Sequence, residues 1–124
     1  MPVERAADHP VFDIGGNQVV SLAAPERGSA EAALFRVDLP AGGGLPRHRH
    51  DHFDVFTVTA GGGTMHIGED VEELTVGDAA VVPPDALHWL DAGSEGASIV
   101  VTMLPGTKLI REDDGSVVVP AWVR

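Results

Sequence analysis

The sequence predicts an all-β fold, an antiparallel sandwich or barrel, on three observations. Val, Thr and Ile recur in short runs, Gly, Pro, Asp and Asn punctuate them every eight to twelve residues or so, and no long segment carries a helical period. A chain of 124 residues suits one domain, residues 1–124, with a hydrophobic core that needs no disulfide or metal staple. Any metal would then be functional rather than structural.

The elements follow in order. Val11 to Ile14 and Gln18 to Leu22 read as short strands about a Gly15-Gly16-Asn17 turn. Ala24 to Ala32, with Pro25 and Gly28, reads as a loop carrying one short helical turn. Ala33 to Leu39 alternates cleanly, with Ala33, Phe35, Val37 and Leu39 on one face and Arg36 and Asp38 on the other, as a half-buried strand does. Pro40 ends it, and Gly42 to Gly44 form a flexible corner. No P-loop lysine follows that glycine run, which argues against a phosphate cradle. Phe53 to Ala60 is the next strand, ended by Gly61-Gly62-Gly63, and Thr64 to Ile67 pairs with Val71 to Val76 about Gly68-Glu69-Asp70. Gly77-Asp78 turns the chain into the buried run Ala79 to Val82, and Pro83-Pro84-Asp85 makes a corner. Leu87 to Leu90 carries His88, Ser98 to Leu104 is strongly apolar, and Asp113-Asp114-Gly115 leads into Val117 to Val119.

Composition removes several function classes. A formal charge of -11 with eight scattered basic residues offers no footprint for a phosphate backbone, so no nucleic-acid partner is expected. No stretch approaches the roughly 18 apolar residues of a membrane span, and the N-terminus has no secretory apolar core. A cytoplasmic protein with no membrane partner is the expectation. The absence of cysteine excludes thiolate metal sites and disulfides, leaving imidazole and carboxylate as the strong ligands. The absence of tyrosine leaves no phenol to move a proton.

The chemistry concentrates between Gly42 and Gly61. Successive strand side chains point to opposite faces, so His48 and His50 project from one face with their rings close together. Asp54 follows four residues later. Two imidazoles and a carboxylate are the ligand types of a divalent transition metal.

This stretch resembles the first motif of the cupin superfamily, G-x5-H-x-H-x3,4-E-x6-G: Gly42, His48, His50, Asp54 and Gly61 fall on it, with Asp54 in place of the usual Glu. Gly77, Pro83, Asp85 and His88 fall on the second, G-x5-P-x-G-x2-H-x3-N, with Asp85 at the Gly position and Ala92 at the Asn position. The motifs span residues 42–61 and 77–92. The resemblance implies a single cupin barrel, a double-stranded β-helix or jelly roll, with one divalent transition metal (Fe, Mn, Ni, Cu, Co or Zn) near its mouth. His48, His50, His88 and Asp54 are the implied ligands. Closing a sheet into a barrel is what brings distant strands together and lets His88 join the early pair. Asp tolerates a left-handed turn better than most residues, so Asp85 can stand for Gly.

Asp54 is the departure that matters, because its side chain is one methylene shorter than Glu. Either it ligates, giving three His and one carboxylate with about two open positions, or it falls short and acts as an orienting group or general base. His52 shares strand parity with His50 and is a candidate proton-transfer group, with a solvated turn histidine as the alternative. His66 is a candidate pocket group. Phe35, Phe53, Phe56, Met65, Met103, Trp89 and Leu104 are candidate pocket walls, with core packing the stronger reading for each taken singly. Trp89, of opposite parity to His88, is expected on the outer face or against a partner subunit, and Trp122 likewise. Barrel edges and the apolar C-terminal segment suggest a homodimer.

These readings converge on a metal-dependent enzyme acting on a small molecule. The leading expectation is dioxygenase chemistry on a chelating enol, diketone or phenolic substrate. A non-redox isomerase, lyase or polyketide cyclase, and a ligand-binding module without turnover, are the alternatives.

Overall fold

In this computed structural model the described residues are 3–28 and 31–124. Ten strands form a curled, wholly antiparallel sheet: β1 (Val11–Ile14), β2 (Asn17–Ala23), β3 (Ala33–Leu39), β4 (His48–His50), β5 (Asp54–Ile67), β6 (Asp70–Thr75), β7 (Ala79–Val82), β8 (His88–Met103), β9 (Leu109–Arg111) and β10 (Val117–Val118). The all-β fold class predicted from the sequence is the observed one. The helical turn expected after Ala24 is a short 3-10 turn at Pro25–Arg27, while positions 29 and 30 of that loop lie outside the described residues. No described helix is long and apolar enough to cross a membrane.

Hairpin chemistry starts the fold. Ile14 faces Asn17 across a turn whose Gly15 and Gly16 have φ of 61° and 88°, the left-handed pair that a tight hairpin requires. Strand β2 then pairs with β3, and β3 with the second half of β8 through Ala33↔Met103 to Leu39↔Ala97. On its other edge β8 runs along nearly the whole of β5, whose far edge takes β7 at its start and β6 at its end. Strand β4 lies beside the first residue of β8 and continues the sheet into β9 and β10.

The core sits inside this curl. Ala33, Phe35, Val37 and Leu39 are buried in strict alternation along β3, as the sequence predicts. They meet Phe56 and Val58 of β5 and Ile99, Val101 and Met103 of β8. Each such side chain withdrawn from water contributes about 1.5–3 kcal/mol, which makes this inward face the main source of stability.

Three expectations are corrected. The Gly61-Gly62-Gly63 run does not end a strand: β5 passes straight through it to Ile67. Those glycines are sites of close backbone approach, where an added Cβ would collide with the carbonyl oxygens of Gly96, Leu74 and Asp91 respectively. For the same reason the segments Leu87 to Leu90 and Ser98 to Leu104 are two ends of one strand, β8, which bends with β5 at the glycine positions. Strand β9 has no counterpart in the sequence reading.

Candidate metal centre

Register assembles the site. His48 of β4 stands directly opposite His88, the first residue of β8, so an imidazole from the second half of the chain lands beside the early pair. His50, two residues on, shares the face of His48. Ring centroids are 4.2 Å apart for His48–His88, 4.9 Å for His48–His50 and 5.4 Å for His50–His88. The three residues offer ring nitrogens within 4.8 Å of one another, a group that can hold a metal ion.

The backbone fixes which nitrogen each ring presents. His48 Nδ1 lies 2.7 Å from the carbonyl of Pro46, His50 Nδ1 2.9 Å from that of Lys108, and His88 Nδ1 2.8 Å from that of Ala86. A carbonyl only accepts, so each Nδ1 carries the proton and donates it. Each Nε2 is then left with a free lone pair, the arrangement found behind metal-bound histidines. Burial keeps His48 and His50 neutral: it pushes His48 down to about 3, helped by the neighbouring His88, and also lowers His50, against the opposing pull of Asp54.

Asp54, at the head of β5, is completely buried, and neither carboxylate oxygen has a hydrogen-bond partner. The Nε2 of His88 is equally unpartnered. Asp54 Oδ2 lies 3.6 Å from His50 Nε2 and 3.5 Å from His88 Nε2. Two ligands of one ion at about 2.1 Å stand roughly 3.0–3.4 Å apart, so Asp54 stands close to ligand spacing from His50 and His88, while the group whose ligand atoms all lie within 4.8 Å of one another is the three histidines. A buried carboxylate without a partner costs several kcal/mol, and a cation among these four groups would remove that cost.

Asp85 secures the strand from below. It alone among the described non-glycine residues has a positive φ, 63°, as its place at a glycine position of the motif implies. Its N–H donates to the carbonyl of His50 at 2.8 Å.

Above the rings opens a cleft of about 140 Å³. Phe35, Phe56, Val37, Val101, Leu109 and Trp122 supply apolar wall, and Asn17 and Arg111 are the polar side chains besides the metal-site residues. Asn17 is anchored by its Nδ2 donating to the carbonyl of Gly44 at 3.0 Å, which leaves its Oδ1 as an acceptor.

Several predicted residues lie elsewhere. His52 is exposed beside Asp51, 3.8 Å away, and does not line the cleft. His66 is on the outer face, stacked on Trp89 at 4.4 Å and 5° and 3.2 Å from Asp91, while Arg47 covers the indole at 4.5 Å. Trp89 thus faces outward as its parity implies. Phe53 and Leu104 are exposed, and Met65 and Met103 belong to the core. Trp122 is the correction of most consequence. It is half-buried, packs on Phe12 at 5.8 Å and Phe35 at 6.1 Å and walls the cleft, so it does not stand on the outer face as Trp89 does. Asn17, Leu109 and Arg111 were missed: the first reads as a turn residue, and the others sit on a strand too short to alternate visibly.

Comparison with known proteins places this geometry. A curated relative, gentisate 1,2-dioxygenase from Haloferax sp, is 36% identical over 58 residues, 47% of this chain. The match spans 16% of that relative. Among solved structures, an RmlC-like cupin from Shewanella frigidimarina superposes with a TM-score of 0.74 at 24% identity, over 90% of this chain and 93% of that one. The polyketide cyclase RemF from Streptomyces resistomycificus gives 0.75 at 16% identity, over 93% and 89%. Residues 35–105 match the profile of the cupin domain. Since that match takes in both histidine-bearing segments and the barrel strands between them, the chain belongs to the cupin family.

Proposed function

We propose that the chain is a metal-dependent enzyme in which the Nε2 atoms of His48, His50 and His88 and a carboxylate oxygen of Asp54 hold one divalent transition metal, and that it acts as a dioxygenase on a small chelating enol, diketone or phenolic compound. The observation that carries the metal reading is the set of three Nδ1–carbonyl bonds, which leaves three Nε2 lone pairs on rings clustered within metal-binding reach of one another, with a buried, unpartnered carboxylate beside two of them. Such an ion supplies Lewis acidity and, if redox-active, activation of dioxygen. The chain's own residues do the rest. The backbone carbonyls fix the tautomer and orientation of the three rings, burial keeps His48 and His50 neutral, and Asp54 would bring one negative charge, so a divalent ion would leave the site near +1 and receptive to an anionic oxygen ligand. Phe35, Phe56, Val101 and Trp122 exclude water and flank a flat organic molecule. The partial likeness to a gentisate 1,2-dioxygenase supports a phenolic substrate.

Metal analysis of protein purified without added metal, with oxygen uptake on gentisate and on a 1,3-diketone, tests the reading. Bound iron, copper, manganese, nickel or cobalt with oxygen consumed is the expected result. A folded His50→Ala variant that turns over at the wild-type rate would remove the metal from the mechanism. Zinc alone with no oxygen consumed would move the site to non-redox carbonyl chemistry.

A further inference from the structure

Arg111 is the only permanently cationic side chain lining the cleft among the described residues. Strand β9 runs antiparallel to β4 with Arg111 opposite His48 and Leu109 opposite His50. Directly opposed residues share a face of the sheet, so the guanidinium rises from the same face as the metal-site rings.

The chain's other acid–base pairings leave this arginine open. Arg27 is 3.1 Å from Glu4, Arg36 3.1 Å from Asp38 and Arg49 2.7 Å from Glu112. Arg111 has no described carboxylate oxygen within the 4.0 Å of an ion pair. Glu112, its sequence neighbour, is the one engaged by Arg49, and Asp113 accepts from the N–H of Asp114 at 2.8 Å. Asp114 accepts from the N–H of Ser116 at 2.8 Å, and these bonds to Ser116 lower its carboxyl more than the charge of Arg111 does. It is fully exposed, where water screens the attraction. In a chain of charge -11, an arginine left unpaired at the rim of an apolar cleft is a ready anion site.

The cleft's size sets the ligand's. Its 140 Å³ or so is close to the roughly 150 Å³ of an engineered apolar cavity in another protein that accepts benzene. We infer that the cleft takes a small organic acid of about one ring, its carboxylate on Arg111 and its opposite polar end directed to the three-histidine seat. The placement of that second end rests on the metal reading above; the carboxylate on Arg111 does not.

Benzoate and benzamide, alike in shape and different in charge, are the probes. Their binding is measured by ligand-observed NMR and quenching of tryptophan fluorescence, on the full chain both as purified and after chelator treatment. The metal-free protein is expected to prefer benzoate by about tenfold, about 1.4 kcal/mol. Arg111→Gln should abolish the preference without changing metal content, and Arg111→Lys should keep part of it. Equal binding of the two probes by the metal-free wild type, or an undiminished preference in Arg111→Gln with a wild-type circular dichroism spectrum, would overturn the assignment. The two readings fail separately. Absence of retained metal with a benzoate preference abolished by Arg111→Gln would sink the metal centre and leave the anion site standing.

Discussion

Replacing Asp54 by Asn is expected to move the stability of the metal-free and the metal-loaded protein in opposite directions. In the metal-free chain both oxygens of Asp54 are buried without a hydrogen-bond partner, so the fold carries the desolvation cost of the carboxylate, several kcal/mol for an ion in an interior. An amide of the same shape carries only the cost of an unsatisfied polar group, about 1–3 kcal/mol. The variant should gain about 2 kcal/mol, which for a chain of this length is about 8 °C in Tm. With metal the order reverses. At a free ion concentration of about a thousand times Kd the wild type gains about 4.1 kcal/mol, or about 16 °C. If loss of the anionic ligand weakens binding about a hundredfold, the variant at the same concentration sits at about ten times its own Kd and gains about 1.4 kcal/mol, or about 6 °C. Differential scanning calorimetry with and without metal reads both numbers. A variant that melts no higher than wild type without metal and shows an undiminished rise with it would refute the assignment of Asp54 to the cation.

Three further predictions follow from the same geometry. The depressed His48 and His50 bind protons more weakly folded than unfolded, so their contribution is complete above about pH 6.5 and is lost as pH falls toward the folded value, about 3 for His48. Urea denaturation of the metal-free protein at several pH values should show a slope of about 1.4 kcal/mol per pH unit from His48 within that window, with a further contribution of the same sign from His50, and His48→Asn should remove the His48 share; an unchanged slope would contradict burial as the cause. Gly63→Ala places a Cβ against the Asp91 carbonyl on the paired strand, and should cost more than about 3 kcal/mol by thermal melting; a melt within about 1 °C of wild type would show that β5 and β8 are not locked there. Asp85→Val forces a β-branched residue into a left-handed turn and should cost about 1–2 kcal/mol, whereas Asp85→Gly should stay close to wild type in both Tm and metal content.

Where local pattern and tertiary structure agree, the chain was readable from its residues. Ala33–Leu39 alternates in sequence and is buried in that same alternation. The spacing of His48, His50 and His88 anticipated rings that meet, because two of them share a strand face and the third is fixed by a corner whose left-handed residue, Asp85, was visible as a glycine substitute. Local reading failed where one residue type serves two purposes. A glycine run signals a turn in most chains, yet Gly61 and Gly63 let β5 and β8 approach each other and Gly62 lets β6 approach on the other edge, facts held by residues twelve to thirty-five positions away. Leu109 and Arg111 reach the cleft only through pairing with β4, and a strand of three residues has no periodicity to detect. Trp122 offered no signal of inwardness, since what turns it toward Phe12 and Phe35 includes a bond from the Ser21 hydroxyl to its carbonyl at 2.9 Å, a contact across most of the chain.

All three Nδ1 protons go to main-chain oxygens, those of Pro46, Ala86 and Lys108, and this restricts how the centre can be adjusted. No side-chain replacement deletes a peptide carbonyl, so the basicity and aim of the rings are properties of the barrel itself. Substitutions meant to retune such a site would have to act on Asp54 and the apolar shell, because the main chain fixes the aim of the imidazole tripod.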